Sequence, residues 1–363
     1  MITISLCMIV RNEEQFLGKC LESVKDLVDE IIIVDTGSTD ATKTIAAKYT
    51  VHINDFDWID DFSAARNYSF SLATKDYIMW LDADDWLQEL DYQKFKELKK
   101  VLNPNFDVVY MDYYTSFDIN GQPNVVIKRE RLVKRSKQFQ WHERVHEFLQ
   151  VEGNGLLTDI AVSHGKIQEK ITDRNLQIYE AAILSGKKLS NRELFFYAKE
   201  LKNNGYHTKA ISVFQQFLAD PASYIENILE AYEQMAVCYH EIGDKEHEFM
   251  CLLKTLEYDS PRADYICRIA YFFQDAGDYE KAISWYQVAI KTEKPKDRFG
   301  IVNHLAWTWL PHVNLAICYD KLGQLEKAYE HNELALRFIP DDPNLLRNKQ
   351  LLEEYLSKGK DES

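Results

Sequence analysis

No apolar run in the chain is long enough to cross a bilayer, which excludes a membrane-spanning helix. The opening stretch MITISLCMIVRNEE has neither a basic segment nor an extended apolar core, so it does not read as a secretory signal. Cys-x-x-Cys pairs are missing. The six cysteines (Cys7, Cys20, Cys238, Cys251, Cys267 and Cys318) are scattered and read as reduced, mostly buried thiols. A zinc-spaced Cys/His set, a G-x-G-x-x-G after a strand and a Walker A loop are all absent, which argues against a zinc module, a dinucleotide enzyme and an ATPase. Positive charge is in deficit: 43 Lys and Arg against 58 Asp and Glu give −15, a balance that argues against nonspecific binding to nucleic acid or anionic membranes. A local basic patch over an anionic ligand stays compatible with it. These absences predict a soluble, cytoplasmic protein with no nucleic-acid partner and no membrane insertion.

What is present divides into two halves. With 363 residues and 46% hydrophobic content the chain can fill two globular domains. In the first half short apolar runs alternate with helical patterns. ISLCMIV (4–10) and EIIIVD (30–35) read as strands, and the second is continuous in apolar character between its two acids, as expected when both sheet faces are covered. NEEQFLGKCLESVKDLV (12–28) reads as an amphipathic helix, and STDATKTIAAKY (38–49) as a helix capped by Ser38. VHIND, DFSAARNYSFSLA and YIMWLD continue as strand, helix and strand, which predicts a mainly parallel α/β sheet. Ligands of such sheets sit beyond the carboxyl ends of the strands, so Asp35 and Asp82 are expected on that rim. Further strands are expected at 107–114 and 124–128, joined across Asn120-Gly121.

From about residue 171 helices take over, and a repeat is legible. Alanine stands seven residues before glycine four times: Ala198/Gly205, Ala236/Gly243, Ala270/Gly277 and Ala316/Gly323. Three repeats add alanine five residues after the glycine, at Ala210, Ala282 and Ala328, whereas the second has Glu248. Glycine spacings of 38, 34 and 46 (243−205, 277−243 and 323−277) fit a unit of about 34 residues with insertions. GDYEKAISWYQVAI and GQLEKAYEHNELALRFIP resemble tetratricopeptide repeats. The expected division is a catalytic domain over 1–170, a helical linker over 171–190, about four repeats over 191–358 and a tail over 359–363.

The chemistry gathers at YIMWLDADDWL, where Asp82, Asp84 and Asp85 follow an apolar strand. An EF-hand loop would need glycine at its sixth position, where Leu87 stands. A phosphatase with an aspartyl nucleophile would want a small hydroxyl residue where Trp86 stands. A divalent-metal site for a nucleotide diphosphate suits the pattern, because Mg2+ or Mn2+ takes one or two carboxylates and completes its shell with phosphate oxygens and water. A solvated acidic loop is the structural alternative.

CMIVRNEEQFLGKCLESV, EIIIVDTGSTDAT, DFSAARNYSFSLATKDYIMWLDADD and WHERVHEF, in that order, resemble the family 2 glycosyltransferases of the GT-A fold, over roughly residues 1–165. The resemblance implies an α/β GT-A domain, a Rossmann-like nucleotide-diphospho-sugar transferase, followed by an all-α superhelical repeat domain. It assigns Asp35 to the nucleobase or ribose, Asp82 to the ribose and diphosphate, Asp84 to the metal and Arg66 to the nucleotide. Glu147 in RVHEF occupies the place of the catalytic base, with Glu143 and His146 as alternatives and His142 close by. His164 in AVSHGKI is placed as a further metal ligand or diphosphate contact, and Asp85 lies behind the metal. Within the basic segment IKRERLVKRSK (127–137), Arg131 and Lys134 are candidates to face the diphosphate, with a solvated face as the alternative.

The two-domain plan resembles the bacterial peptide glycosyltransferases that modify bacteriocins, of the sublancin S-glycosyltransferase type. It implies a UDP-sugar donor (UDP-glucose or UDP-N-acetylglucosamine), Mg2+ or Mn2+, and a hexose transferred with inversion to Ser/Thr or Cys of a peptide held by the repeats. The repeats could also pair two copies of the chain. An envelope glycan or lipid-linked sugar is the alternative acceptor, and an adaptor with a vestigial transferase domain is the alternative class.

Overall fold

The structure is a computed structural model that describes residues 1–117, 121, 123–165, 173–294 and 302–361. The chain forms two compact units, one of residues Met1–Ser116 and Val126–Leu189, the other of Phe117–Val125 and Ser190–Ser363.

The first unit runs β1 (Ile4–Val10), α1 (Leu17–Val24), β2 (Glu30–Asp35), α2 (Thr42–Ala46), β3 (Ile53–Asp55), α3 (Phe62–Ser71), β4 (Tyr77–Trp80), β5 (Asp85–Trp86), α4 (Glu89–Val101), β6 (Val108–Phe117), β7 (Pro123–Lys134), β8 (Gln140–His142), β9 (Phe148–Gln150), β10 (Gly155–His164) and α5 (Arg174–Leu184). Eight of these strands form one sheet in the order β3-β2-β1-β4-β7-β6-β10-β5, while β8 and β9 pair separately. The β1–β2, β2–β3 and β1–β4 pairs are parallel, as the strand–helix alternation predicts. β7 is antiparallel to β4, with Met79 opposite Leu132 and Tyr77 opposite Lys134.

Alternation along β1 explains the two cores. Ile4, Leu6 and Met8 face α1 through Leu17, Cys20 and Leu21, and Phe95 of α4 joins them. Cys7 points the other way, into a cluster with Ile32, Val34, Trp80, Phe70 of α3 and Trp141. With both faces covered, the continuous apolar run Ile31–Val34 in β2 is the stable choice.

Four expectations change, the first being the helix expected over 12–28, which spans only Leu17–Val24. The helix expected over 38–49 is confined to Thr42–Ala46, because Ser38 is drawn into the loop before it: its N–H donates to Asp35 Oδ1 at 2.9 Å and its hydroxyl accepts from Asn12 N–H at 3.0 Å. The strands expected at 107–114 and 124–128 are longer, and Asn120 of their expected turn lies outside the described residues. Lys134 stands at the wrong end of the sheet for a phosphate contact. Antiparallel pairing puts it beside the start of β4, where its ammonium donates to Pro104 O at 2.6 Å.

The second unit consists of α6 (Asn191–Asn203), α7 (His207–Leu218), α8 (Ile225–Glu241), α9 (Lys245–Tyr258), α10 (Ala263–Asp275), α11 (Tyr279–Lys291), α12 (Leu310–Lys321), α13 (Leu325–Leu336) and α14 (Pro343–Asp361). Gly205, Gly243, Gly277 and Gly323 all have φ between 69° and 81°, a left-handed turn that glycine adopts without penalty. After each glycine the next N–H reaches back to close the helix: Tyr206 to Leu201 O, Asp244 to Tyr239 O, Asp278 to Phe273 O and Gln324 to Tyr319 O. The repeated alanines are buried where paired helices meet. Glu248, the exception, is buried too, with its carboxylate 3.1 Å from His240 Nδ1 and 3.3 Å from Lys245 Nζ. Among the described residues no helix is long and apolar enough to cross a membrane.

Candidate active site

A cleft of about 410 Å³ opens at the carboxyl ends of β1 and β4, with Arg11, Arg66, Asp82, Asp84, His146, Glu147, His164 and Arg174 among its lining residues. Its acids arrive by different routes. Asp35 ends β2, is buried, and its Oδ1 accepts from the N–H groups of Gly37 and Ser38 at 3.0 and 2.9 Å. Its Oδ2 is buried without a hydrogen-bond partner. Asp35 itself is not on the cleft wall, although its neighbour Thr36 is.

Asp82 and Glu147 are 65 residues apart in sequence, by subtraction of their numbers, and one side chain joins them. Arg66, on α3, donates from Nη2 to Asp82 Oδ1 at 2.7 Å and from Nε to Glu147 Oε1 at 2.6 Å. Its guanidinium lies against Trp141 and Trp80, 4.7 and 5.1 Å from the ring centres. Burial pushes the Asp82 carboxyl up, but the opposing charges of Arg66 and Arg131 and the Arg66 hydrogen bond win, and it is held well below the usual carboxylate range. Asn67, a residue that sequence reasoning passed over, exchanges two hydrogen bonds with the Trp141 backbone at 2.8 and 2.9 Å and so fastens α3 to β8.

The loop between β8 and β9 carries Glu147, and its path is strained: Glu143 and His146 have φ of 70° and 54°. Three contacts hold it in place. Phe62 N–H donates to Arg144 O at 2.9 Å, the Tyr179 hydroxyl donates to Val145 O at 3.3 Å, and Arg66 grips Glu147.

The candidate metal centre forms where β5 pairs antiparallel with β10, His164 opposite Asp85. Asp84, Asp85 and His164 bring ligand atoms within 4.8 Å of one another. Asp84 Oδ2 is 3.7 Å from His164 Nε2, and two donors each about 2.1 Å from one Mg2+ or Mn2+ ion fit that separation. An oxygen and imidazole set suits such a cation. The other ring nitrogen, Nδ1, lies 2.8 Å from the Tyr113 hydroxyl and 3.3 Å from Asp85 Oδ1. Burial lowers the His164 pKa, but the Asp85 hydrogen bond and the charges of Asp84 and Asp85 outweigh it, and the net shift is upward. Gly165 closes the corner, donating its N–H to Asp84 O at 2.7 Å; a Cβ there would stand 2.7 Å from that oxygen and 2.8 Å from the Trp86 ring.

Arg131 does not face the cleft. It is fully buried between the rings of Trp80 and Tyr113, 4.0 and 4.4 Å from their centres, and Nη1 sits 3.0 Å from Asp85 Oδ2. The expected phosphate contact is thus a charge partner for Asp85: Arg131 directly precedes Leu132 of the Met79–Leu132 pair on β7 and turns inward, its Nη1 donating to Trp80 O at 3.3 Å.

Comparison with known proteins matches residues 5–157 to the family model "Glycosyl transferase family 2" and residues 263–294 to a tetratricopeptide repeat model. The chain carries a family 2 glycosyltransferase domain followed by C-terminal tetratricopeptide repeats. A TPR repeat-containing protein of Synechococcus elongatus is 28% identical over 94% of this chain and 76% of its own length. The SPbeta prophage-derived glycosyltransferase SunS of Bacillus subtilis is 30% identical over 55% of this chain, which spans about half (49%) of SunS. The lipopolysaccharide core biosynthesis glycosyltransferase LpsC of Rhizobium meliloti is 28% identical over 42% of this chain and 59% of its own length.

Proposed function

We propose that the chain is a metal-dependent, inverting glycosyltransferase that moves a hexose from a UDP-sugar, UDP-glucose or UDP-N-acetylglucosamine, to Ser/Thr or Cys of a peptide. The observation that carries this reading is the pairing, in one cleft, of the Asp84–His164 donor set with the Arg66-linked acids Asp82 and Glu147. Asp35 would take a donor hydrogen from the nucleoside on its unpartnered Oδ2. Asp82, kept ionised by Arg66, orients the sugar-nucleotide. Asp84 and His164 would hold the divalent cation, which when bound supplies charge neutralisation for the departing diphosphate. Glu147 accepts the proton of the acceptor nucleophile as the new glycosidic bond forms and the bond to the diphosphate breaks. Arg66 engages Oε1 of Glu147, which leaves Oε2 for that proton.

A peptide acceptor is supported by the fused repeat unit, since stacked helix pairs commonly bind extended chains. That unit has its own cavity of about 330 Å³, lined by Glu230, Glu233, Asp264, Tyr265, Arg268 and Tyr271, a mixture suited to peptide side chains. A cytoplasmic location is in keeping with six free cysteines. The relation to LpsC supports a second reading, an envelope glycan or lipid-linked acceptor.

The test is mass spectrometry of the chain incubated with UDP-sugars, Mn2+ and, in parallel, Cys- and Ser-containing peptides and oligosaccharide acceptors. Sugar on the peptide, abolished by chelation and by Asp84→Ala, is the expected result. Product confined to oligosaccharides would replace the peptide reading. Calorimetry showing no binding of UDP with Mn2+ would revive an adaptor with a vestigial transferase domain.

A further inference from the structure

The cleft must meet an anion that gains charge when the sugar leaves, and the structure narrows which cation does so. Of four arginines at or behind the cleft, Arg131 is fully buried behind Asp85. Arg66 is 8% exposed and already shared between Asp82 and Glu147. Two remain on the cleft wall, Arg11 and Arg174, and among the described residues neither has a carboxylate within ion-pair distance.

Their positions separate them. Arg11 directly follows β1, next to Asn12, which is bonded into the Ser38–Thr39 loop that also surrounds Asp35. That is the nucleoside side. Arg174 opens α5, and its guanidinium carbon lies 4.9 Å from the centre of the Phe62 ring. Phe62 and Arg66 are four residues apart on α3 and so lie one turn apart on one face, which puts Arg174 beside the Asp82–Arg66–Glu147 group. The hydrogen bonds Arg174 makes, to Asn175 Oδ1 at 3.4 Å, are long and easily exchanged. A guanidinium resting on an aromatic face, with its fork held only by two long hydrogen bonds to one neighbouring oxygen, is pre-organised for a phosphate.

We propose that Arg174 is the phosphate clamp of the cleft, which grips the terminal phosphate of the nucleoside diphosphate. This inference rests on the UDP-sugar reading above and assigns that donor's second phosphate a protein partner. It also gives a cleft lined by Glu13, Asp82, Asp84 and Glu147 a protein cation to act beside the divalent ion proposed above, since the charge of Arg66 is internally spent.

Calorimetry on the full chain with Mn2+ tests it, using UDP and uridine as separate probes for the wild type, Arg174→Ala and Arg174→Lys. The expected result is UDP affinity reduced roughly tenfold to a hundredfold in Arg174→Ala, the range for losing a charge-assisted hydrogen-bonded contact. Uridine affinity and nucleotide-free Mn2+ binding should match the wild type, and Arg174→Lys should recover part of the loss. UDP affinity within twofold of wild type in Arg174→Ala would overturn the clamp, as would a parallel fall in uridine affinity. A wild type that binds no UDP would overturn the donor reading and the clamp together, a pattern distinct from a loss confined to the variant.

Discussion

Replacing Arg66 by alanine should loosen the catalytic domain at one identifiable place. The side chain makes two charge-assisted hydrogen bonds, at 2.6 and 2.7 Å, and such bonds contribute roughly 1.5–3 kcal/mol each. Glu147 is only 13% exposed, so its share is about 2 kcal/mol. Asp82 is 36% exposed, and solvent screening reduces its share to about 1 kcal/mol. The guanidinium's contact with Trp141 and Trp80 adds about 0.5 kcal/mol. A loss of about 3–4 kcal/mol follows, within the range for removing one member of a buried ion pair. Native-state hydrogen exchange of the full chain, read on peptides covering α3 and β4, measures it without assuming that the two units unfold together. The pH dependence separates charge from packing. The folded Asp82 carboxyl titrates below its unfolded value, so its contribution is fully present above about pH 4 and fades as pH falls below that. The gap between wild type and variant should therefore be full at neutral pH and shrink in acid. A gap under about 1 kcal/mol at neutral pH would refute the reasoning, given that the Glu147 bond alone is expected to exceed it.

Further outcomes follow from other corners of the structure. Gly165→Ala places a Cβ 2.7 Å from the Asp84 carbonyl oxygen and 2.8 Å from the Trp86 ring, so the β5–β10 bridge must part and His164 must move from Asp84. Calorimetric Mn2+ affinity should drop about tenfold or more; an unchanged affinity would show that the bridge does not set the donor pair. In the repeat unit, His312 and His331 stack with Nδ1 atoms 3.0 Å apart; burial and the neighbouring His331 lower the His312 pKa to about 4, and burial lowers that of His331. Both folded values lie below the unfolded one of about 6.5, so the stability of the α12–α13 pair is complete above that pH and declines as pH falls toward 4. Hydrogen exchange on these helices at pH 7 and pH 5 checks the direction, and equal protection of His312→Gln and wild type at pH 5 relative to pH 7 would refute it.

Much of this protein is readable in its sequence, because local periodicity and turn chemistry operate over a few residues. The strand–helix alternation of the first half, the ends of β2 and β4 as the places for Asp35 and Asp82, and the glycine-closed helix pairs of the second half are of this kind. Sequence also assembled the acids into a motif. It had no means of showing how distant segments meet. The direction of β7 against β4 sends Lys134 to the far end of the sheet and Arg131 into the interior, although both belong to one basic run. The two-residue bridge between β5 and β10 brings His164 to Asp84, 80 positions earlier by subtraction of their numbers. Arg66 stood in a recognisable motif, yet its second partner, Glu147, depends on a strained loop whose path is held by α3 and α5. Hydrophobic pattern and turn residues act locally and therefore speak through sequence; which charge neutralises which is decided only when the strands have chosen their neighbours.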